Sequence, residues 1–377
     1  MNYQVDTVVI GGGPSGAACA ITLQKAGVSN LILEQRAFPR HKTCGGLMTE
    51  KTYRLLTGLL PETDLSGVFC DLSRVVELHG TDGRLTRSEV EHPLRSVRRV
   101  VFDNYLIEQY RALGGTLLEN QRRYKIDAAK KRIVLENRDV IAYRHLVAAD
   151  GALSRSRAAL DCKPPQLGFC LEVYVPKREL PQADAVQIHF GVVPRGYLWV
   201  FPSGEELCIG LGGVYKKGTD YRAILRKFLS SRGLDPAAYK LFGAFVPIGK
   251  PVPQQNAPAD TMLVGDAGGF VDPMYGEGLY FALATGIAAA DAIASGGGKP
   301  KFLQDTAPLA EMIRQGVRVQ KVFFRAPAVR LFQRKIKNKN GFVREYCDKQ
   351  LSTYRYSYGE LISLYRDYER KKNGGTP

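Results

Sequence analysis

Three glycines near the start of the chain have the spacing of a loop that holds a phosphate group. In VVIGGGPSGAACA, Gly11, Gly13 and Gly16 separate an apolar strand pattern from a helical pattern. Bare backbone N–H groups can approach a pyrophosphate there, and the positive end of the helix dipole attracts its charge. Glu34 ends the next strand pattern, where a carboxylate can accept hydrogen bonds from a ribose. The sequence therefore predicts a dinucleotide-binding βαβ unit.

Strand and helix patterns around this loop predict the elements that position it. We expect a strand over 6–10, a helix over 15–26 and a strand over 31–34. A second helix is predicted over 102–113, because its apolar residues recur at helical spacing before a glycine pair. Further short strands are predicted around 116–118, 132–135 and 145–149.

The middle of the chain has a different pattern. Runs such as FCLEVYVP, AVQIHFGVV, YLWVFP and LCIGLGGV predict an antiparallel sheet between about 164 and 249. A strand over 261–264 and a helix over 278–293 follow, and the remainder is predicted to be helical. We therefore predict an α/β fold with a Rossmann-type nucleotide-binding domain, an inserted antiparallel β-sheet substrate domain and a C-terminal helical cap. The predicted boundaries are 1–70, 96–163 and 255–298 for the first part, 71–95 and 164–254 for the second, and 299–377 for the third.

Three further motifs follow in order along the chain. They are RxxFDxxL from Arg99, AADGALSRSR with Asp150, and LVGDAGGFVDPMYGEG with Asp266. With the glycine loop, over about residues 5–300, they make the chain resemble the FAD-dependent family of aromatic-ring hydroxylases, flavin halogenases and geranylgeranyl reductases. The resemblance implies an FAD cofactor, with Arg99 on its phosphate side, Asp150 between its two halves and Asp266 on its ribityl chain.

The chemistry of these residues agrees with an FAD site. A flexible polyol needs a fixed acceptor, although an isolated aspartate such as Asp266 would otherwise be a turn or cap residue. The turn PMYGEG before a helix offers the N–H groups of Gly276 and Gly278 to the electron-rich end of the flavin. The residues predicted to bind FAD are Gly11, Gly13, Pro14, Ser15, Gly16, Glu34, Gln35, Cys44, Gly45, Arg99, Asp150, Asp266, Gly276, Gly278 and Leu279.

The segment PRGYLWVFP, residues 194–202, resembles the P-x-x-Y-x-W-x-F-P substrate-cavity signature of the geranylgeranyl reductases. On a strand, the two-residue period places Tyr197, Trp199 and Phe201 on one face. Periodicity alone favours an ordinary sheet core over a substrate-binding wall. With the full motif, we predict an aromatic wall that binds a long hydrocarbon through Tyr197, Trp199, Phe201 and Pro202.

The turn KTCGGLM resembles the K-x-C-G-G/E turn that lies beside the flavin in these reductases. Cys44 is then either a proton donor or a small residue that lines the cavity. The resemblance implies that reduced flavin delivers hydride to an alkene carbon of an isoprenoid chain while a proton reaches the neighbouring carbon. The catalytic candidates are Cys44 and Tyr197, both as proton sources, and no metal is expected.

Two other functions fit the same motifs. One is a monooxygenase or halogenase of the same fold, with oxygen as electron acceptor, although the W-x-W-x-I-P halogenase motif is missing. The other is a non-catalytic FAD-containing protein that binds a membrane or a partner. No second glycine-rich dinucleotide motif follows the first, so we expect NAD(P)H or a ferredoxin as the external electron donor.

Charge and composition bear on partners and location. The formal net charge is +16, and nine Lys or Arg residues lie between 321 and 349 among aromatic residues. This segment predicts either a surface that rests on anionic lipid or a solvated helical face packed on the core. Nucleic acid is not expected, because no binding motif accompanies the charge. Without a leader pattern, a long apolar span or C-x-x-C pairs, we predict a cytoplasmic protein, peripheral on the inner membrane face.

Overall fold

The computed structural model describes residues 2–352 and 358–372, which form two β-sheets and a set of helices. The strands are β1 (Asn2–Ile10), β2 (Asn30–Leu33), β3 (Leu47–Met48), β4 (Phe69–Gly80), β5 (Gly83–Val97), β6 (Thr116–Leu118), β7 (Tyr124–Asp127), β8 (Arg132–Leu135), β9 (Val140–Ala148), β10 (Leu167–Pro176), β11 (Val186–Phe190), β12 (Gly196–Ser203), β13 (Glu206–Val214), β14 (Phe242–Pro247) and β15 (Thr261–Leu263). The helices are α1 (Pro14–Lys25), α2 (Glu50–Leu59), α3 (Arg99–Ala112), α4 (Arg155–Ala159), α5 (Tyr221–Ser231), α6 (Leu279–Ala294), α7 (Gly298–Phe323), α8 (Ala326–Ile336), α9 (Asn340–Ser352) and α10 (Tyr358–Lys372).

The first sheet has the strand order β6-β2-β1-β9-β8-β7, and β15 also pairs with β9. Its central strands are parallel, with Ile10 of β1 opposite both Leu33 and Ala148. Leu263 of β15 is also opposite Ala148. The loops that follow β1, β2, β9 and β15 therefore meet at one carboxyl edge, where open α/β sheets bind ligands.

Helix α1 begins at this edge, and most of its residues are small and buried. Its closest helical neighbour is α6, where a Cβ added at Gly286 would lie only 2.2 Å from the carbonyl oxygen of Ser15. Glycine at this position therefore permits the two helices to touch through their backbones. This close contact fixes α6, whose N-terminus follows the PMYGEG turn, against the glycine loop.

The second sheet has the strand order β14-β10-β13-β12-β11-β4-β5-β3. Its pairings are antiparallel except for β11 and β4, which run parallel, so the prediction of a purely antiparallel sheet is wrong at that one pairing. The segment between β13 and β14 contains helix α5, which the strand-rich pattern did not predict. Asp220 caps that helix by accepting the N–H of Ala223 at 2.9 Å.

Helices α8, α9 and α10 pack on the second sheet, whereas α7 packs on α6. Ile336, Phe342 and Val343 share an apolar cluster with residues of β4, β5 and β12. Phe332 packs edge-on against Phe190 of β11, with ring centroids 5.3 Å apart. Some aromatic residues of the basic segment are therefore packed on the sheet. This agrees with the interpretation of the segment as helices that pack on the core by their apolar side and expose their basic side to solvent. No helix among the residues described has the length and apolarity to cross a membrane.

The α/β architecture predicted from the sequence is confirmed, and most boundaries agree within a few residues. Strands β6 and β8 have the predicted bounds, whereas β1 begins four residues before its predicted start at Asp6. Helix α3 begins at Arg99, three residues earlier than predicted, so that Arg99 lies in its first turn. Residues 353–357 and 373–377 of the predicted C-terminal cap lie outside the described residues.

Candidate active site

One cavity of about 880 Å³ runs from the carboxyl edge of the first sheet to the second sheet. It brings together most of the predicted site residues, although they come from distant parts of the chain. Those that line it are Gly11, Gly13, Pro14, Ser15, Glu34, Gln35, Cys44, Gly45, Arg99, Asp150, Tyr197, Trp199, Phe201, Asp266, Gly276, Gly278 and Leu279.

The structure does not bring two of the predicted residues, Gly16 and Pro202, to the cavity wall. A Cβ added at Gly16 would lie 1.8 Å from the carbonyl oxygen of Gly11, so this glycine allows the loop to fold onto α1. Pro202 is out of phase with Phe201 in the two-residue period of β12. Gly16 therefore shapes the loop from behind, and Pro202 belongs to the opposite face of the strand from the aromatic wall.

At the nucleotide end, the Glu34 carboxylate is held by the backbone of the glycine loop. Its Oε2 atom accepts the N–H of Gly12 at 2.8 Å, and its Oε1 atom accepts the N–H of Arg36 at 3.1 Å. Helix α1 begins with Pro14 and has no side-chain cap. The N–H groups of its first turn therefore remain available to an anion at the positive end of the helix dipole.

A network of two arginines and one aspartate continues the site. Arg99 Nε donates to Asp103 Oδ1 at 2.6 Å, which holds the guanidinium at the cavity wall. Arg40 lies between Asp103 at 3.3 Å and Glu34 at 3.4 Å. Its Nε atom is buried and has no hydrogen-bond partner among the described residues. A buried N–H without a partner is costly, and a phosphate oxygen would satisfy it.

These features fit FAD. The glycine loop and the open end of α1 suit the pyrophosphate, the Glu34 carboxylate suits a ribose, and the unpartnered Arg40 Nε suits a phosphate oxygen. Asp266 lies in the short turn after β15, at the same edge of the sheet. The residues that would hold the cofactor are thus present in one continuous cavity.

At the other end of the cavity, β12 presents the predicted aromatic wall. The ring centroids of Tyr197 and Trp199 are 6.1 Å apart, and those of Trp199 and Phe201 are 6.0 Å apart. The indole lies over β13, where a Cβ added at Gly210 would be 2.3 Å from the ring. A side chain at Gly210 would occupy the space of the indole. The alternating glycines of LCIGLGGV are the sequence signal for this arrangement.

The turn that contains Cys44 lies directly against this wall. A Cβ added at Gly45 would be 3.0 Å from the Phe201 ring and 3.3 Å from Nε1 of Trp199. The half-buried Cys44 thiol accepts the N–H of Gly46 at 3.4 Å. The turn and the wall are therefore neighbours in the structure, while the chemical role of Cys44 stays a prediction.

Tyr197 is less suited to giving up a proton. Its hydroxyl donates to the carbonyl oxygen of Tyr275, in the loop before α6. Burial raises the pKa of Tyr197, and the negative groups around it act in the same direction. The hydroxyl therefore stays neutral and ties the aromatic wall to the loop that contains Gly276. Its role as a proton source stays a prediction.

Motif analysis missed the residues that hold the loop over 273–278. Asp272 accepts the N–H groups of Met274 at 2.8 Å and Tyr275 at 3.0 Å. From the other side, Gln320 of α7 donates to the carbonyl oxygen of Pro273 at 2.6 Å. The C-terminal region is therefore part of the site, and it also contributes Phe324 to the cavity wall.

A buried ion pair anchors the same loop to α2. Lys51 Nζ lies 2.9 Å from Glu277 Oε2 and donates to the carbonyl oxygen of Gln350 at 3.0 Å. Thr49 donates to the other oxygen of Glu277 at 2.7 Å. One lysine thus joins α2, the loop and α9. Its partners are hundreds of positions away, so no local motif could have identified it.

Glu172 is the other residue that motif analysis missed. It lies on β10, is fully buried and lines the cavity. Its Oε1 atom accepts the N–H of Cys44 at 3.1 Å. Burial raises the pKa of this carboxyl to about 7, against the opposing effect of the Cys44 N–H group. A single acid within the apolar run FCLEVYVP was the available signal.

Comparison with known proteins agrees with this geometry. Residues 4–168 match the FAD binding domain family. The chain is 26% identical over 377 residues to the chloroplastic geranylgeranyl diphosphate reductase of Arabidopsis thaliana, which covers 87% of this chain and 76% of the relative. It is 26% identical to the digeranylgeranylglycerophospholipid reductase of Methanocaldococcus jannaschii, with 77% of each chain covered.

The fold comparison extends over nearly the whole chain. A geranylgeranyl bacteriochlorophyll reductase-like protein from Thermoplasma acidophilum superimposes with a TM-score of 0.73 at 18% sequence identity. The match covers 99% of this chain and 100% of that one, so the second sheet and the C-terminal helices are shared as well. Sequence relatives, fold and site agree that the chain is an FAD-dependent oxidoreductase with an FAD binding domain over residues 4–168, similar in sequence and fold to geranylgeranyl reductases.

Proposed function

We propose that this flavoprotein saturates carbon–carbon double bonds in the chain of an isoprenoid lipid. The observation that carries the proposal is the contact between the Cys44–Gly45 turn and the aromatic wall of β12, inside the cavity that also contains the FAD residues. An isolated alkene has no polar group by which to orient it. Apolar contact along its chain must therefore hold the double bond in place.

The relatives support this choice of substrate class. Two of them are named as reductases of geranylgeranyl diphosphate and of a digeranylgeranyl phospholipid, which share the isoprenoid chain and differ in the polar group. The wall in this chain consists of Tyr197, Trp199 and Phe201, which fit the shared part. FAD in its reduced form provides hydride, and NAD(P)H or a ferredoxin is the proposed source of its electrons.

The residues of the chain have separate tasks in this proposal. The wall residues bind and orient the hydrocarbon, and the Cys44–Gly45 turn limits its approach. Tyr197 fixes the position of the wall relative to the loop of Gly276 through Tyr275. The Lys51–Glu277 pair holds that loop against α2.

The direct test is a single turnover without oxygen. Reduced enzyme is mixed with geranylgeranyl diphosphate or with a geranylgeranyl phospholipid, and flavin absorbance is followed together with product mass. We expect reoxidation of the flavin and a product that has gained two hydrogen atoms for each bond saturated. If neither lipid reoxidises the flavin, while an aromatic compound is hydroxylated or halogenated in air, the proposed function is wrong.

Trp199→Ala separates substrate binding from flavin chemistry. Removing the indole deletes apolar contact with a long chain, which contributes about 2–3 kcal/mol, or roughly 30- to 150-fold in kcat/KM. Reduction of the flavin by dithionite should be unchanged. Trp199→Phe, which keeps an aromatic ring, is the matched control and should retain most of the activity. Equal losses for a short and a long isoprenoid would contradict a role of the wall in chain binding.

We also propose that the basic C-terminal region rests on anionic lipid. Leu331 is 55% exposed on α8, and the cations Arg330, Arg334 and Lys335 are exposed around it. Exposed cations beside an apolar side chain suit the headgroup region of a membrane. This placement would bring a water-insoluble substrate to the protein from the bilayer.

Vesicle sedimentation tests the membrane proposal. Binding to vesicles that contain phosphatidylserine should weaken with added salt, because the attraction is screened over about 8 Å at physiological ionic strength. Reversal of charge at Arg334, Lys335 and Lys337 should weaken it further. Lys339 is left unchanged, because its ammonium pairs with Glu369 within the protein. Binding that is independent of salt would exclude the electrostatic attachment.

A further inference from the structure

The proposed reaction needs a proton, and Glu172 is a buried carboxyl group at the reaction end of the cavity that has so far no role in it. Its exposed fraction is 0%, although it lines the cavity. Its Oε1 atom accepts the N–H of Cys44 at 3.1 Å and the hydroxyl of Tyr174 at 3.5 Å. Its Oε2 atom lies 3.9 Å from Sγ of Cys208. All three neighbours are neutral hydrogen-bond donors.

The other buried carboxylates among the described residues have charged partners or two close backbone N–H donors, and Glu77 forms ion pairs with Arg84 and Arg87. Glu34 and Asp103 both form ion pairs with Arg40. Asp272 accepts two backbone N–H groups of its own loop, at 2.8 and 3.0 Å. Among the described residues, Glu172 has no cation as an ion-pair partner. A buried carboxylate without a cation pays a large desolvation penalty, and a protonated carboxyl avoids that penalty.

The surroundings of Glu172 favour its neutral form at physiological pH. Burial raises the pKa of this carboxyl to about 7, while the Cys44 N–H group and the charges of Lys42 and Arg99 act against the increase. Arg99 is itself paired with Asp103 and does not contact the Glu172 carboxyl directly. The titratable or charged groups that face the carboxyl are Lys42 and Cys44 of the turn, Arg99 of α3, Cys170 and Tyr174 of β10, and Cys208 of β13.

We propose that Glu172 is the acid that delivers the proton for alkene reduction. The inference rests on the proposed function. The carboxyl is buried in the cavity beside the Cys44 turn, and that turn touches the aromatic wall through Gly45. A proton source is therefore located in the cavity beside the predicted flavin-binding turn, which itself contacts the predicted hydrocarbon-binding surface. Tyr197, by contrast, is committed to Tyr275.

The step balances in atoms and electrons. The π bond of the alkene breaks and two C–H bonds form. One carbon receives a hydride, with its electron pair, from the reduced flavin, and the other receives the proton of the Glu172 carboxyl. Glu172 is left as a carboxylate, and it regains a proton from water before the next turnover. A group that titrates near the working pH can do both.

The closing experiment compares Glu172→Gln with the wild type in the single-turnover assay. Glutamine keeps the shape of the side chain and cannot donate an acidic proton, so reoxidation by the isoprenoid should slow by about 100-fold or more. FAD content and dithionite reduction should match the wild type, which shows that the variant is folded and loaded. Glu172→Asp should recover part of the rate. Glu89→Gln, at an exposed position of β5, is the matched control.

The pH profile gives a readout that a structural role would not change. The wild-type rate should be high at acidic pH and fall as pH rises through about 7, the pKa of Glu172. That fall should persist in Cys44→Ser and be lost in Glu172→Gln. In the apoprotein, infrared difference spectra between wild type and Glu172→Gln should show a carboxyl C=O band that disappears over the same pH range.

Each outcome has a distinct meaning. If wild type fails to react with any isoprenoid, the proposed function falls and takes the inference with it. If wild type reacts while Glu172→Gln keeps its rate within about threefold and its pH profile, only the assignment of Glu172 is wrong. If the infrared spectra show Glu172 ionised throughout the acidic and neutral range, the assignment is also wrong, even where the rate falls.

Discussion

The nucleotide end of the cavity is built mainly from backbone, whereas the reaction end is built from side chains that distant segments contribute. At the nucleotide end, a continuous stretch of chain provides the loop of Gly11 and Gly13, and Glu34 closes it through the N–H of Gly12. At the reaction end, Glu172 meets Cys44 across 128 positions of sequence. The two ends therefore depend on different kinds of information in the sequence.

This difference predicts how each end responds to mutation. A loop held by close backbone contacts tolerates few substitutions, because an added side chain would overlap neighbouring backbone atoms that cannot move aside. A site built from side chains can lose one group and keep its fold, provided that no charge is left buried without a partner. Substitutions at the nucleotide end should thus affect folding together with cofactor binding, and substitutions at the reaction end should separate the two.

Gly16→Ala is expected to have the largest effect. The new Cβ would lie 1.8 Å from the carbonyl oxygen of Gly11, so the loop or α1 must move. We expect a loss of stability of about 3 kcal/mol or more and little yellow protein. Gly13→Ala is the matched control, because its Cβ would approach nothing closer than 3.7 Å. That variant should fold normally and bind FAD more weakly, as thermal unfolding of the apoprotein and flavin titration would show.

Equal thermal stability of the Gly16→Ala and Gly13→Ala apoproteins would remove the basis of this contrast. The conformation of Gly13 is ordinary for any residue, with φ of −70°. The lack of a side chain at Gly13 is therefore explained by the space that a ligand needs. At Gly16 it is explained by close contact with the backbone of the protein itself.

Lys51→Met tests the long-range anchor of the reaction end. Removal of the ammonium breaks the ion pair between Lys51 and the Glu277 carboxylate, which costs about 3–5 kcal/mol for a buried pair. The double variant Lys51→Met with Glu277→Leu should be more stable than Lys51→Met alone, because no charge is left behind. Chemical denaturation measures both. Lys163→Met, at an exposed position, is the control and should have no effect. Additive losses in the double variant would show that the pair is not coupled.

The sequence was sufficient for the features that repeat locally. The glycine spacing predicted the βαβ unit, and the two-residue period predicted that Tyr197, Trp199 and Phe201 share a face. The sequence was not sufficient where partners are remote. Lys51 contacts Gln350 across 299 positions, and neither residue lies in a motif. Helix α5 was also missed, because its apolar residues lie among strand patterns and only tertiary packing selects the helix.

Removing both Glu34 and Asp266 should weaken FAD retention without unfolding the protein. Each carboxylate is a charged hydrogen-bond acceptor in the cavity, and each loss is worth about 1.5–2 kcal/mol, or roughly 100- to 1000-fold in Kd together. Glu34→Ala also frees the N–H of Gly12 and Arg40, so it should contribute the larger share. Flavin release on dilution and far-ultraviolet circular dichroism report binding and fold separately. A double variant that is folded and fully loaded with flavin would overturn this assignment of the cofactor residues.

The smallest expected effect concerns stability and pH at Glu172. The folded carboxyl has a pKa of about 7, above the ordinary value of 4.5 that applies to the unfolded chain. Between these two pH values Glu172 keeps its proton in the folded protein and has released it in the unfolded chain. The free energy of unfolding therefore decreases as pH rises from about 4.5 to about 7. Above that range the loss is complete, at about 3 kcal/mol. Glutamine cannot ionise, so Glu172→Gln should equal the wild type in acid and exceed it at alkaline pH. Urea unfolding of both apoproteins, with Glu89→Gln as reference, measures this difference. Equal stability of the two at alkaline pH would show that Glu172 ionises without penalty and is not a buried acid.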